Sequence, residues 1–172
     1  IMRQLWAGET VNHDRFWGLE NARIAPLPAK DIEVWIGATA PAAINRTARL
    51  AEGWLGTPSS TPQQAKEQLN QYRQACAEHQ RKPSAVALRR DIFIGASVRQ
   101  AEEFRSHAVA KGYRGFPEDA LICGDISQVA TQFAELFEAG FTDIIVRNMA
   151  SDQGQALATI EALSDVKRQL RL

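Results

Sequence analysis

In this 172-residue chain the residues best suited to chemistry are small ones. Gly37-Ala38-Thr39-Ala40 is a turn stripped of bulk, and it runs directly into Pro41, a residue that the first position of a helix tolerates. A loop that opens a helix leaves N–H groups unpaired at the positive end of the helix dipole. A phosphate or similar oxyanion is stabilised there. The N–H groups of Ala38 to Ala40 would donate, and the Thr39 hydroxyl would add one bond. The plain structural use of the same turn is to let a helix pack close to a strand. A second candidate is Arg147, which ends the apolar run Ile144-Ile145-Val146. A guanidinium there can grip an oxyanion bidentately, or it can close a surface salt bridge. Arg89, Arg90 and Asp91 read as an internal ion pair. His13, His79 and His107 are scattered through loop and polar helical stretches. No Ser/His/Asp arrangement, HExxH, P-loop or GxGxxG is present, which removes hydrolase, zincin and nucleotidase readings. No residue is assigned a catalytic role, and no metal site is expected.

Positioning these residues requires strands and helices in alternation. Val34, Trp35 and Ile36 form a β-rich run, predicting a strand over 33–37. Ile44, Thr47, Ala48 and Ala51 recur at helical spacing, predicting a helix over 42–52 that Gly53 closes. Gly53-Trp54-Leu55-Gly56 starts the next strand, and Trp54 is read both as a core residue and as a ligand contact. Thr61-Pro62 caps a polar helix running to about residue 80. A strand follows over 85–95, then a helix over 98–111 capped by Ser97. Leu121-Ile122 is a brief extended piece. A helix over 126–139 with Phe133, Leu136 and Phe137 inward, a strand over 141–147 and a helix over 155–170 complete the order. Such alternation predicts βαβ units on a parallel sheet, four in number over 31–172. Residues 1–30, aromatic-rich and broken by prolines, are expected to form an excursion ahead of the sheet within a single domain.

Composition narrows the partners. Twenty basic and twenty acidic residues leave a formal net charge of zero, and no long block of like charge exists. Nucleic acid and anionic membrane are poor partners for such a surface. No apolar run approaches the roughly 18 residues of a membrane span. Cys76 and Cys123, unclustered, fit a reducing compartment better than a disulfide scaffold and predict a cytoplasmic protein. Ile1 precedes Met2, which fits a piece of a longer product better than a natural start.

Three stretches, in order and at the right spacing, carry a family resemblance. The first runs from Gly8-Glu9-Thr10-Val11-Asn12-His13-Asp14-Arg15-Phe16-Trp17 to Pro26-Leu27-Pro28. The second is Glu33 to Gly56, with the small triplet Gly37-Ala38-Thr39 and the later Glu52-Gly53-Trp54. The third joins Gly124-Asp125-Ile126-Ser127-Gln128-Val129-Ala130 to the segment from Glu138 to Arg147. Together they resemble the C-terminal half of the luciferase-like, flavin-dependent monooxygenases, which are TIM-barrel enzymes. The resemblance implies an α/β fold, the C-terminal half of a (β/α)8 TIM barrel, with parallel strands alternating with helices.

It also implies an oxidoreductase that oxygenates a small organic substrate with reduced FMN and dioxygen. Relatives that use a deazaflavin coenzyme for hydride transfer fall within the same resemblance. The cofactor-binding residues it implies are Gly37, Ala38, Thr39 and Ala40 at the phosphate, with Trp54 and Arg147 nearby. Ala38 and Ala40 stand where the family often has glycine or serine, and Glu52 stands where it has aspartate. These departures support a second reading, a catalytically silent remnant that binds no cofactor and serves as a subunit. Half a barrel leaves sheet edges and one barrel wall uncovered. A homo-oligomer or a complementary N-terminal half-barrel chain is therefore expected to cover them, unless the chain forms a compact open sheet.

Overall fold

The computed structural model describes residues 1–170, and these divide into two compact units, Ile1–Val34 and a larger one from Trp35 onward. In the first unit a short helix, α1 (Met2–Trp6), precedes an antiparallel hairpin of β1 (Val11–His13) and β2 (Leu19–Ala22), with Val11 opposite Ala22. The Asn12 side chain accepts from the Asn21 N–H at 2.7 Å, and Arg23 donates to the Thr10 hydroxyl at 2.7 Å. Phe16 and Trp17, between the two strands, are exposed.

The larger unit is a parallel sheet wrapped by helices. Its strands are β3 (Trp35–Gly37), β4 (Gly53–Gly56), β5 (Ala85–Ile94), β6 (Ile122–Gly124) and β7 (Asp143–Asn148). β3 pairs with β4 and β4 with β5, and β5 pairs with both β6 and β7. Between and after them run α2 (Pro41–Leu50), α3 (Pro62–Glu78), α4 (Val98–Ala110), α5 (Ile126–Ala139) and α6 (Gln153–Gln169). Four of the strands are those expected from the sequence. The fifth, β6, is the brief extended piece, which joins the sheet because its residues align with the far end of the long β5, Ile92 opposite Ile122. β3 is shorter than expected, beginning at Trp35 rather than Glu33.

Local chemistry fixes the helices. Thr61 and Asp125 form capping boxes with Gln64 and Gln128, and Ser97 and Asp152 cap α4 and α6 by accepting from the N–H three residues on. Gly140 ends α5 at φ 107°, a left-handed conformation that glycine adopts at little cost. In α5 the buried set Val129, Ala130, Phe133 and Leu136 recurs at helical spacing and supplies the stripe that packs on the sheet.

The sheet has two unlike faces. Trp54, Val86, Leu88, Ile92 and Ile94 alternate onto one face and meet α2, α3, α5 and α6 in the main core. Trp54 is fully buried, its indole tilted 5.4 Å from Tyr72 and stacked 6.3 Å from Phe141. The opposite face carries Trp35, Gly53 and Ala85 in one row, and Arg89, Asp91 and Arg147 further along. Gly53 lets the Trp35 ring lie across the strand: a Cβ would stand 2.8 Å from Cδ1 of Trp35 in this position of the ring. Beyond Asp91, Phe93 and Cys123 pack under α4 in a second cluster, with Phe93 stacked on Phe104 at 3.8 Å.

Candidate functional site

Two loops at the C-terminal ends of β3 and β4 form the first part of the site. Among the described helices of ten residues or more, α2 alone lacks a side-chain N-cap. Its N-cap is Ala40, in extended conformation, and Pro41 follows. Ala43 and Ile44 both donate to the Ala40 carbonyl, so that carbonyl is occupied while no side chain serves the start of the helix. The loop is held from behind. Ala38 is buried in the core, and its carbonyl accepts from Trp54 Nε1 at 2.8 Å. Gly37, Thr39 and Ala40 are left exposed.

Facing this loop is the turn after β4. Thr57 and Ser59 share a hydroxyl–hydroxyl bond of 3.0 Å, and the Ser60 hydroxyl donates to the Thr57 carbonyl at 3.0 Å. Thr39, Pro41, Thr57, Ser59 and Ser60, with Gln68 from α3, line a cleft of about 350 Å³. The buried Oε1 of Gln68 has no hydrogen-bond partner. Glu67 also borders the cleft, where its carboxylate accepts from Gln63 at 2.7 Å. The uncapped start of α2 leaves its first N–H groups without a helical partner, and the Thr39 and Ser59 hydroxyls border the same cleft, which suits a phosphate. The residues present therefore fit the phosphate end of a flavin-type cofactor.

The second part lies on β5 and β7. The Asp91 side chain is fully buried, yet three guanidinium groups converge on it: Arg114 at 3.2 Å, Arg89 at 3.5 Å and Arg147 at 3.7 Å. Arg90, 1% exposed, turns away and donates to the Ser60 carbonyl at 3.0 Å, while its Nη2 has no partner. Burial lowers the pKa of Arg90, and Tyr113, Asp119 and Asp91 oppose that shift. The Tyr113 hydroxyl is buried without a partner. Desolvation first, then the Asp91 charge, pushes its pKa up to about 12, against the pull of Arg90, Arg114 and Arg147.

The structure thus separates what the sequence grouped. Of the predicted loop, Thr39 lines the cleft together with Pro41, Gly37 and Ala40 are exposed beside it, and Ala38 anchors the loop from the core. Trp54 is a core residue that reaches the site only through its bond to Ala38, because a side chain with no exposed surface has no face to offer a ligand. Arg147 lies across β4 and β5 from the loop, about three strand spacings or ~14 Å along the sheet. The pairing of Arg89 with Asp91 is present as read. Ser59, Ser60 and Gln68, and the Arg114 and Tyr113 additions to the Asp91 cluster, were not singled out. Only the hydroxyl density of Thr57-Pro58-Ser59-Ser60 signalled any of them. No group of three metal-ligating side chains is present among the described residues, and no described helix is long and apolar enough to cross a membrane.

Parallel strands alternating with helices, in this order and pairing, define part of a TIM-type barrel. Residues 1–136 match the family model described as luciferase-like monooxygenase, and the chain belongs to that family. A region of 70 residues is 34% identical to an F420-dependent glucose-6-phosphate dehydrogenase of Microbacterium testaceum, covering 40% of this chain and 21% of that protein. Among solved structures, an F420-dependent secondary alcohol dehydrogenase superposes with a TM-score of 0.76 at 14% identity, over 99% of this chain and 59% of that one. A monooxygenase from Streptomyces bottropensis gives 0.78 at 16%, over 99% and 58%. The oxygenating constituent of 3,6-diketocamphane monooxygenase from Pseudomonas putida, solved with FMN, gives 0.69 at 16%, over 95% and 59%. These structures share the fold. The chain spans less than two thirds of each structure and about a fifth of the curated relative, so it is a partial barrel.

Proposed function

We propose that this chain supplies the phosphate-binding half of a luciferase-like oxidoreductase that oxygenates a small organic substrate with reduced FMN and dioxygen. The observation that carries the reading is the uncapped start of α2 facing the hydroxyl-lined turn after β4 across one cleft. Gly37, Thr39 and Ala40 would hold the cofactor phosphate, assisted by the Ser59 hydroxyl. Trp54 fixes the loop from the core. Reduced FMN, when bound, supplies the electrons that activate dioxygen; the protein's part is to seat its phosphate and exclude water. A second reading, hydride transfer with a deazaflavin such as F420, is supported by the curated relatives' names and uses the same phosphate seat. Both cysteines are free and buried, which supports a reducing, cytoplasmic setting.

The test is cofactor titration of the Thr39 variants. Thr39→Glu places a carboxylate in the phosphate seat and should weaken FMN binding at least ~100-fold by charge repulsion. Thr39→Ala removes one hydrogen bond to a charged acceptor, about 1.5 kcal/mol or roughly tenfold in Kd. An FMN affinity untouched by Thr39→Glu would move the seat elsewhere. Running F420 in parallel separates the two cofactor readings. On the same reading a second copy, or a complementary N-terminal half-barrel chain, covers the sheet face bearing the exposed Trp35 and Ile145. Sedimentation should then give a mass above the 19.0 kDa of one chain, and a stable single-chain species would argue against it.

A further inference from the structure

We propose that the arginine cluster on Asp91 is a second anion site, distinct from the α2 loop, that takes a doubly charged oxyanion of the substrate, either a phosphate ester or a dicarboxylate. The charge count is the first argument. Arg89, Arg114 and Arg147 share one carboxylate, and Asp91 has no exposed surface through which to meet a ligand itself. The three side chains keep 32%, 42% and 46% of their own surface exposed. A guanidinium carries five N–H donors, so each arginine that spends one or two on Asp91 still presents several to solvent. Asp91 is then a positioning residue: it holds three flexible forks in one place and leaves their excess positive charge unneutralised.

The second argument is independent of the charges. Tyr113 is 4% exposed, and its hydroxyl has no acceptor although it lies in the field of Asp91, Arg90, Arg114 and Arg147. Arg90 Nη2, equally buried, also lacks an acceptor. Unpaired buried donors are costly; Arg90 faces the other side of β5, but the Tyr113 hydroxyl, packed with Phe93 on the Asp91 side, is explained by an oxyanion that accepts from it. The chain goes out of its way to deliver these groups. Gly112, Tyr113, Arg114 and Gly115 all have positive φ, at 83°, 31°, 58° and 74°. For Tyr113 and Arg114 that conformation is strained, and it places the hydroxyl and the guanidinium on the same side of β5 as Asp91. Arg147, one strand over at the register position of Asp91, completes the ring. The separation from the α2 loop, with β4 and β5 between, argues that the cofactor phosphate and this anion are two different groups.

Assigning the anion to the substrate rests on the cofactor phosphate occupying the α2 loop, and the experiment keeps the two apart. Inorganic phosphate is titrated in a chloride-free buffer and followed by 31P line broadening, using Thr39→Glu as the background so that the loop seat is blocked. Phosphate should still bind in that background, and Arg114→Gln with Arg147→Gln should weaken it about tenfold for each charge removed. Tyr113→Phe, which removes only the hydroxyl, should weaken it several-fold with an unchanged melting curve. Acetate, with a single charge, should compete poorly. Phosphate affinity that is the same with and without Arg114 and Arg147 overturns the site, whatever FMN does. Loss of FMN sensitivity to Thr39→Glu, with the arginine dependence intact, instead leaves an anion site whose owner is the cofactor.

Discussion

The two faces of the parallel sheet follow opposite rules. On the helix-facing side the two central strands contribute bulk: Trp54, Leu88, Ile92 and Ile94 are each at most 2% exposed, and Tyr72 and Phe141 close over the indole. On the other side the middle strands offer Gly53, Ala85 and Ala87, Trp35 remains 37% exposed, and charge appears where the strands end. Dense packing on one face fixes the loops that emerge from it, while small residues on the other leave room beside them. The site therefore sits where a rigid wall meets an open one. Trp54 is the hinge between the two roles, because it fills the core and also pins the Ala38 carbonyl behind the phosphate loop.

That contrast can be broken most severely at Trp54. Trp54→Ala removes the largest fully buried side chain and should cost about 3–5 kcal/mol of unfolding free energy. It also frees the loop, so cofactor affinity should fall even at temperatures where the variant remains folded. Denaturant unfolding together with FMN titration checks both. A loss of stability without a loss of affinity would show that the indole serves the core alone.

The elements were legible in the sequence wherever the signal is local. Thr61-Pro62, Ser97 and Asp125 announce helix starts within a few residues, and each caps in the structure. The loop Gly37–Ala40 was legible for the same reason, since its small residues and Pro41 are contiguous. What escaped depends on register. Nothing near Asp91 says that Arg147 will stand opposite it, because that pairing arises only when β7 docks on β5 with Ala87 beside Asp143. Arg114 is brought in by a left-handed turn at Tyr113 and Arg114, non-glycine residues for which a left-handed backbone is not anticipated. β6 was legible only as a brief extended piece at Leu121-Ile122, because three residues carry no periodicity and only the length of β5 gives them an edge to pair with. For Trp54 an aromatic in a glycine-flanked strand favours a core role over a ligand contact without excluding the second. Its burial assigns it to the core.

The finest test of the two faces is a matched pair of glycine substitutions on one strand. Gly56 lies on the helix-facing side, where a Cβ would stand 2.8 Å from Leu88 Cδ1 and 3.3 Å from Trp54 Cη2. Both neighbours are fully buried, so neither has free volume to move into. Gly56→Ala should cost about 2 kcal/mol, in the range for overpacking a tight core. Gly53 lies on the opposite side, and its Cβ would stand equally close, 2.8 Å, to the ring of Trp35. By contact distance alone the two variants should be equivalent. They differ because Trp35 is 37% exposed and can swing away from the strand, and because alanine narrows the unfolded ensemble relative to glycine. Gly53→Ala should therefore cost less than about 1 kcal/mol, with the main effect a change in Trp35 fluorescence. Equal losses for the two variants would mean that the second face is as closed as the first, and the open wall beside the site would have to be abandoned.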